Sequence, residues 1–153
     1  MTRILVAGIG NIFLGDDGFG PEVVRRATGS ARDGVRIEDY GIRGMHLAYD
    51  LLDDWDALVL IDAVPSTGHP GALRVFEADH ETLPGTPGLD AHSMDPSAVF
   101  VSLRALGGSP PRTVVVGCEA ADVGERMGLS EPVSAAVGPA VEALDTVLAD
   151  LVG

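Results

Sequence analysis

Three apolar runs constrain this chain more than any other feature. RILVAG at 3–8, ALVLIDAV at 57–64 and TVVVGCEA at 113–120 are near-continuous rather than alternating. That is the pattern of strands buried on both faces, which need helices above and below them. The intervening segments supply those helices. One spans roughly 18–29, with Pro21 in its first turn. Another covers GMHLAYDLLD, 44–53, and a third covers 96–106, with Asp95 as N-cap and Pro96 at its first position. The last runs over 131–151, where Val133, Val137, Val141, Leu144, Leu148 and Leu151 keep helical spacing. Gly138-Pro139 is expected to kink or restart it. Two further strands read as VRIEDYG, 35–41, and ALRVFEA, 72–78. The order predicts a three-layer α/β/α domain with a mostly parallel, five-stranded twisted sheet. The connection PSTGHPG, 65–71, is too short for a parallel crossover, so strand 72–78 should run antiparallel to strand 57–64. With 153 residues, no internal repeat and no linker, residues 1–153 read as one domain.

Charge narrows the partners. The formal net charge is −13, every basic residue is Arg, and Lys is absent. Nucleic acid and anionic membrane surfaces are poor partners for such a chain, and a cation is a better one. Lysine chemistry, including the Walker lysine, is excluded. No apolar run is long enough for a membrane span, and the N-terminus lacks signal-peptide features. Cys118 is the single cysteine. A cytoplasmic protein without membrane insertion is expected.

Ligands of open α/β sheets bind beyond the carboxyl ends of the strands, which directs attention to loops 8–17, 39–44, 62–71 and 118–124. The first is GIGNIFLGDDGFG. It resembles a dinucleotide loop only in part, because Phe13 stands where the third glycine belongs. Asp16 and Asp17 would also sit where a pyrophosphate should go, opposing it by several kcal/mol at about 4 Å in a partly buried site. One of the two aspartates is expected to cap the helix that follows; the other faces the sheet edge. Asn11, the only Asn in the chain, closes the turn after the first strand or orients a ligand. Asp62 ends the most apolar strand and must be hydrogen-bonded, paired or metal-bound. His69 and His80 are expected to be solvated, His46 to pack on its helix, and Cys118 to be a small buried hydrophobe. His92, in DAHSMDP, stands just before a helix start. Asp17, Asp62 and His92 together suit a borderline divalent ion such as zinc or nickel, with positions left for water or substrate.

Five blocks in order make the chain resemble the hydrogenase maturation proteases, which trim the C-terminal extension of nickel–iron hydrogenase large subunits. They are GIGNIFLGDDGFG, DYGIRG at 39–44, IDAV at 61–64, AHSM at 91–94 and VVGCEAADVGERMGLSEPV at 115–133. The resemblance covers nearly the whole chain. It implies that Asp17, Asp62 and His92 ligate a metal, and that this metal is nickel already inserted in the large-subunit precursor. Zinc or another divalent ion would occupy the site at rest. The chain departs from the family's pattern at Ile42, where Thr is usual and which Arg43 follows, at Asp17, where some members have Glu, and at Gly138-Pro139.

The expected reaction is hydrolysis of one peptide bond near the C-terminus of the nickel-loaded precursor. Asp17 or Asp16 would act as general base and Asp39 would help position the substrate. Two competing readings are a nickel-sensing escort that cuts nothing and a Rossmann-type nucleotide-binding enzyme.

Overall fold

The structure is a computed structural model that describes residues 1–30, 32–80 and 96–153. Five strands form one sheet: β1 (Ile4–Ile9), β2 (Val35–Gly41), β3 (Ala57–Val64), β4 (Leu73–Glu77) and β5 (Arg112–Glu119). Their spatial order is β2-β1-β3-β5-β4. β1 pairs in parallel with β2 and with β3, and β3 pairs in parallel with β5. β4 runs antiparallel, but its partner is β5 rather than β3. Burial explains the insertion of β5. Every residue of β1 and β3 is buried, and so is β5 after its first residue, whereas β4 is half exposed and suits an edge.

Four helices cover the sheet: α1 (Phe19–Arg26), α2 (Gly44–Asp50), α3 (Pro96–Ala105) and α4 (Glu131–Val152). Alternate strand residues point to opposite faces. Val59, Ile61 and Val116 pack with Val23 of α1 and Val137 and Leu144 of α4. Leu58, Leu60 and Val115 pack with Leu47 of α2 and Phe100 and Leu103 of α3. The result is three layers, with α1 and α4 on one side and α2 and α3 on the other.

α4 runs through Gly138-Pro139 without a break, contrary to the expected restart. Pro139 removes one backbone donor, but Ala135, Gly138 and Pro139 are exposed, so water can satisfy the carbonyl left over. Gly138 also lacks the Cβ that a following proline ring would strike. The expected helix over 18–29 is split into α1 and a short 3-10 turn at Ala27–Ser30.

Candidate active site

β1 leads by way of α1 to β2 on one side, while β3 lies on the other side of β1. The point where the connections diverge is the crevice beyond the carboxyl ends of β1 and β3, where ligands of such folds bind. Glycines shape its floor. A Cβ on Gly20 would stand 2.2 Å from the Ile61 carbonyl oxygen and 2.4 Å from that of Ile9, so only glycine lets α1 start this close to the sheet. Gly10, at φ 138°, brings the turn after β1 against the backbone of Asp17.

Asp16 and Asp17 lie in a 3-10 turn, Gly15–Gly18, that precedes α1. Neither caps α1, whose N-cap is Gly18 and carries no side-chain bond. Asp16 reaches across the chain instead. Its carboxylate accepts from the amides of Ala121 (2.8 Å), Asp122 (2.9 Å) and Ser130 (2.6 Å), and from the Ser130 hydroxyl (2.8 Å). Burial would raise its pKa; these four bonds outweigh burial and hold it below the usual carboxylate range. Ser130 is the N-cap residue of α4, so Asp16 fastens the acidic loop to a helix start more than a hundred residues away. Sequence spacing could not show this tie.

Asp17 is 2% exposed and accepts the Asn11 amide at 2.6 Å. The Asn11 side chain accepts the Phe13 amide at 2.9 Å and so closes the turn, the bland reading of that residue. Asp62 is 3% exposed on β3, opposite Gly117 of β5 and one position beyond the Gly8–Ile61 pair. By alternation with Leu58 and Leu60, its side chain belongs to the α2/α3 face. The structure thus brings Asp17 and Asp62 to the carboxyl ends of adjacent strands. His92 lies outside the described residues. It precedes α3, a helix packed on the face to which Asp62 belongs.

Asp39 stands apart. By alternation with Val35 and Ile37 it falls on the α1 side of β2, its carboxylate accepts the Gly41 amide at 2.8 Å, and it lines a groove there. The exposed Ile42 follows it, and Arg43 donates to the Asp39 carbonyl and lies 5.8 Å over the Tyr40 ring. Arg43 also donates to Nδ1 of His46, which is exposed yet packs edge-on against the Tyr40 ring. Nε2 of His46 then carries the proton and faces Asp50 at 3.6 Å. Glu38, His46 and Asp50 bring possible metal-ligating atoms within 4.8 Å of one another. Arg36 already bridges the two carboxylates, and the Tyr40 hydroxyl donates to Asp50 at 2.6 Å. This cluster is therefore filled by its own arginine and ties α2 to β2.

Glu119 was not singled out by sequence. It is 1% exposed at the end of β5, on the same side of the sheet as Asp62. It accepts from the Thr67 amide (2.6 Å), the His69 amide (3.2 Å), the Thr67 hydroxyl (3.0 Å) and the Arg74 guanidinium. The Thr67 amide leads in lowering its pKa to about 2, against the effect of burial. The 65–71 connection beside the crevice is fixed in this way. The available signal was a charged residue ending an apolar strand, as in Asp62.

Two other expectations resolve differently. His69 is exposed, as expected, but His80 is not solvated. Its Nε2 lies 2.9 Å from the Thr113 hydroxyl, its ring packs edge-on against Phe100, and Nδ1 is buried. Burial lowers its pKa. Cys118 is fully buried and burial pushes its thiol up to about 12, so it is a core residue and a poor nucleophile.

These features define an α/β protein with two buried aspartates at the carboxyl ends of the strands that flank its switch point. A profile of the family described as hydrogenase maturation protease (HycI) matches residues 22–146. The "Hydrogenase 2 maturation protease" of Escherichia coli is 31% identical over 143 residues, covering 92% of this chain and 87% of that one. The "Hydrogenase expression/formation protein HupD" of Bradyrhizobium diazoefficiens is 32% identical, covering 97% of this chain and 79% of that protein. Among solved structures, the hydrogenase maturating endopeptidase HybD from E. coli superposes with a TM-score of 0.82 at 30% identity, over 97% of this chain and 93% of that one. The chain belongs to the hydrogenase maturation protease family. It is a peptidase with the five-stranded mixed α/β fold of that family.

Proposed function

We propose that this peptidase removes the C-terminal extension of a nickel–iron hydrogenase large-subunit precursor after nickel has been inserted. The observation that carries the reading is the pair of buried carboxylates, Asp17 and Asp62, at the switch-point crevice of a chain with this ancestry. Burying carboxylates is costly, and a cation held by both would offset part of that cost. The donor set of two carboxylates and one imidazole, with His92 as the third, suits nickel or zinc. Nickel belongs to the client here; zinc or another divalent ion fills the site at rest. A bound ion would polarise the scissile carbonyl.

The chain's own residues do the rest. Asp17 is the general base, oriented by the Asn11 amide. Asp16, with four donors on its carboxylate, positions Asp17 and is spent as a base. Glu119 holds one wall of the crevice. Asp39 contacts the client from the α1 side. No helix among the described residues is long and apolar enough to cross a membrane, and we place the reaction in the cytoplasm.

The test is mass spectrometry of nickel-loaded precursor incubated with the wild type, Asp17→Asn, Asp62→Asn and His92→Ala. The wild type should remove the extension and all three variants should fail. Cleavage at the wild-type rate by any of them would remove that residue from the site.

A further inference from the structure

We propose that a groove on the α1 side of the acidic loop seats the client segment that follows the cleaved bond: an extended apolar stretch with an acidic group about four residues along. The proposal rests on the peptidase reading and says where the departing segment lies.

An endopeptidase must hold chain on both sides of the bond it cuts, because positioning supplies much of the rate. Asp62 belongs to the α2/α3 side of the sheet. A cavity of about 700 Å³ opens on the α1 side of the same loop, within the size range of ligand sites. Gly15 and Gly18, the residues that bracket Asp16-Asp17, form part of its wall. Client chain crossing the loop at Asp17 enters this groove directly.

The groove's surface is largely apolar, formed by Ile12, Pro21, Val24, Met127 and Leu129. Met127 is 66% exposed and Ile12 44%. They are held side by side because the Arg126 amide donates to the Phe13 carbonyl and the Gly15 amide to the Arg126 carbonyl. An exposed cluster of this kind marks a binding surface, and methionine is well suited to one. Gly128, where a Cβ would meet nothing within 4 Å, leaves room for a peptide backbone to approach closely.

Charge fixes the far end. Arg25 and Arg26, in the last turn of α1, share one carboxylate, Glu22. Asp39, the groove's other carboxylate, pairs with Gly8 at the acidic-loop end, so the far end keeps two guanidiniums against one carboxylate in a chain whose net charge is −13. The eight residues of α1 span roughly 12 Å from the acidic loop to this point, which is about four residues of extended peptide. A side-chain or terminal carboxylate at that position complements it.

The experiment is fluorescence anisotropy with a labelled synthetic peptide of the precursor sequence that follows the cleaved bond. The wild type and Asp62→Asn should bind it equally. Met127→Glu should weaken binding about tenfold, the scale of a lost apolar anchor, with Ile12→Ser as a second probe should Met127→Glu fail to fold. Arg25→Ser combined with Arg26→Ser should weaken binding several-fold and flatten its salt dependence. On whole precursor, Met127→Glu should raise KM and leave kcat unchanged. Absence of binding to the wild type, equal binding by Met127→Glu, or loss of binding in Asp62→Asn would each overturn the proposal. Failure of the peptidase reading shows separately, as no mass loss from loaded precursor with the wild type.

Discussion

Asp62→Asn keeps the shape of a buried side chain and removes its charge. Processing should stop while thermal unfolding stays cooperative, which separates loss of the reaction from loss of the fold. Asp16→Ala should behave in the opposite way. It removes the acceptor from the amides of Ala121, Asp122 and Ser130, part-buried bonds worth about 1 kcal/mol each where water can reach the donor. Thermal unfolding should show a loss of about 2–3 kcal/mol. Acid stability follows from two residues. His80 is held neutral by burial, so the unfolded chain takes up its proton first and stability falls as pH drops below 6.5. Glu119 has its pKa lowered from 4.5 to about 2, so its contribution is complete above pH 4.5 and disappears on the way down to 2. Denaturant titrations should show Glu119→Gln flattening only the lower limb. A Glu119→Gln profile identical to the wild type would contradict the assignment.

Among the elements, α1 and α4 carry the sharpest expectations. Gly20→Ala forces a Cβ against two backbone carbonyls that cannot yield cheaply, so both stability and processing should fall. Leu144→Ala, fully buried on α4, should cost about 2–5 kcal/mol by denaturant unfolding. Pro139→Ala on the exposed side of the same helix should stabilise it by roughly 2 kcal/mol, because it restores a helical donor. The same elements show what was legible in sequence. β3 was readable to the residue from its apolar run, and β2 from the turn formers at its two ends. The position of β4 was not, because a short connection dictates strand direction but not which neighbour receives the edge. The continuity of α4 was missed because proline tolerance depends on exposure, which appears only after folding.

For the whole molecule, the sheet order explains why residues 17 and 62 could be linked by a fold rule before any coordinates: residue 17 follows β1 and residue 62 lies near the carboxyl end of β3, two strands that end at one switch point. The helix-cap expectation for the Asp16-Asp17 pair failed for the converse reason. Asp16 bonds residues 121, 122 and 130, and no local pattern encodes a contact that distant. Asp39 lies within β2, and strand alternation turns it to the far side of the sheet from Asp62. The central claim, that the crevice reads a metal delivered by the client, belongs to this scale. It is tested most directly by the mass of the large-subunit precursor after incubation with the wild type, once loaded with nickel and once free of it. The account predicts loss of the extension from the loaded form alone. Equal cleavage of both forms would contradict it.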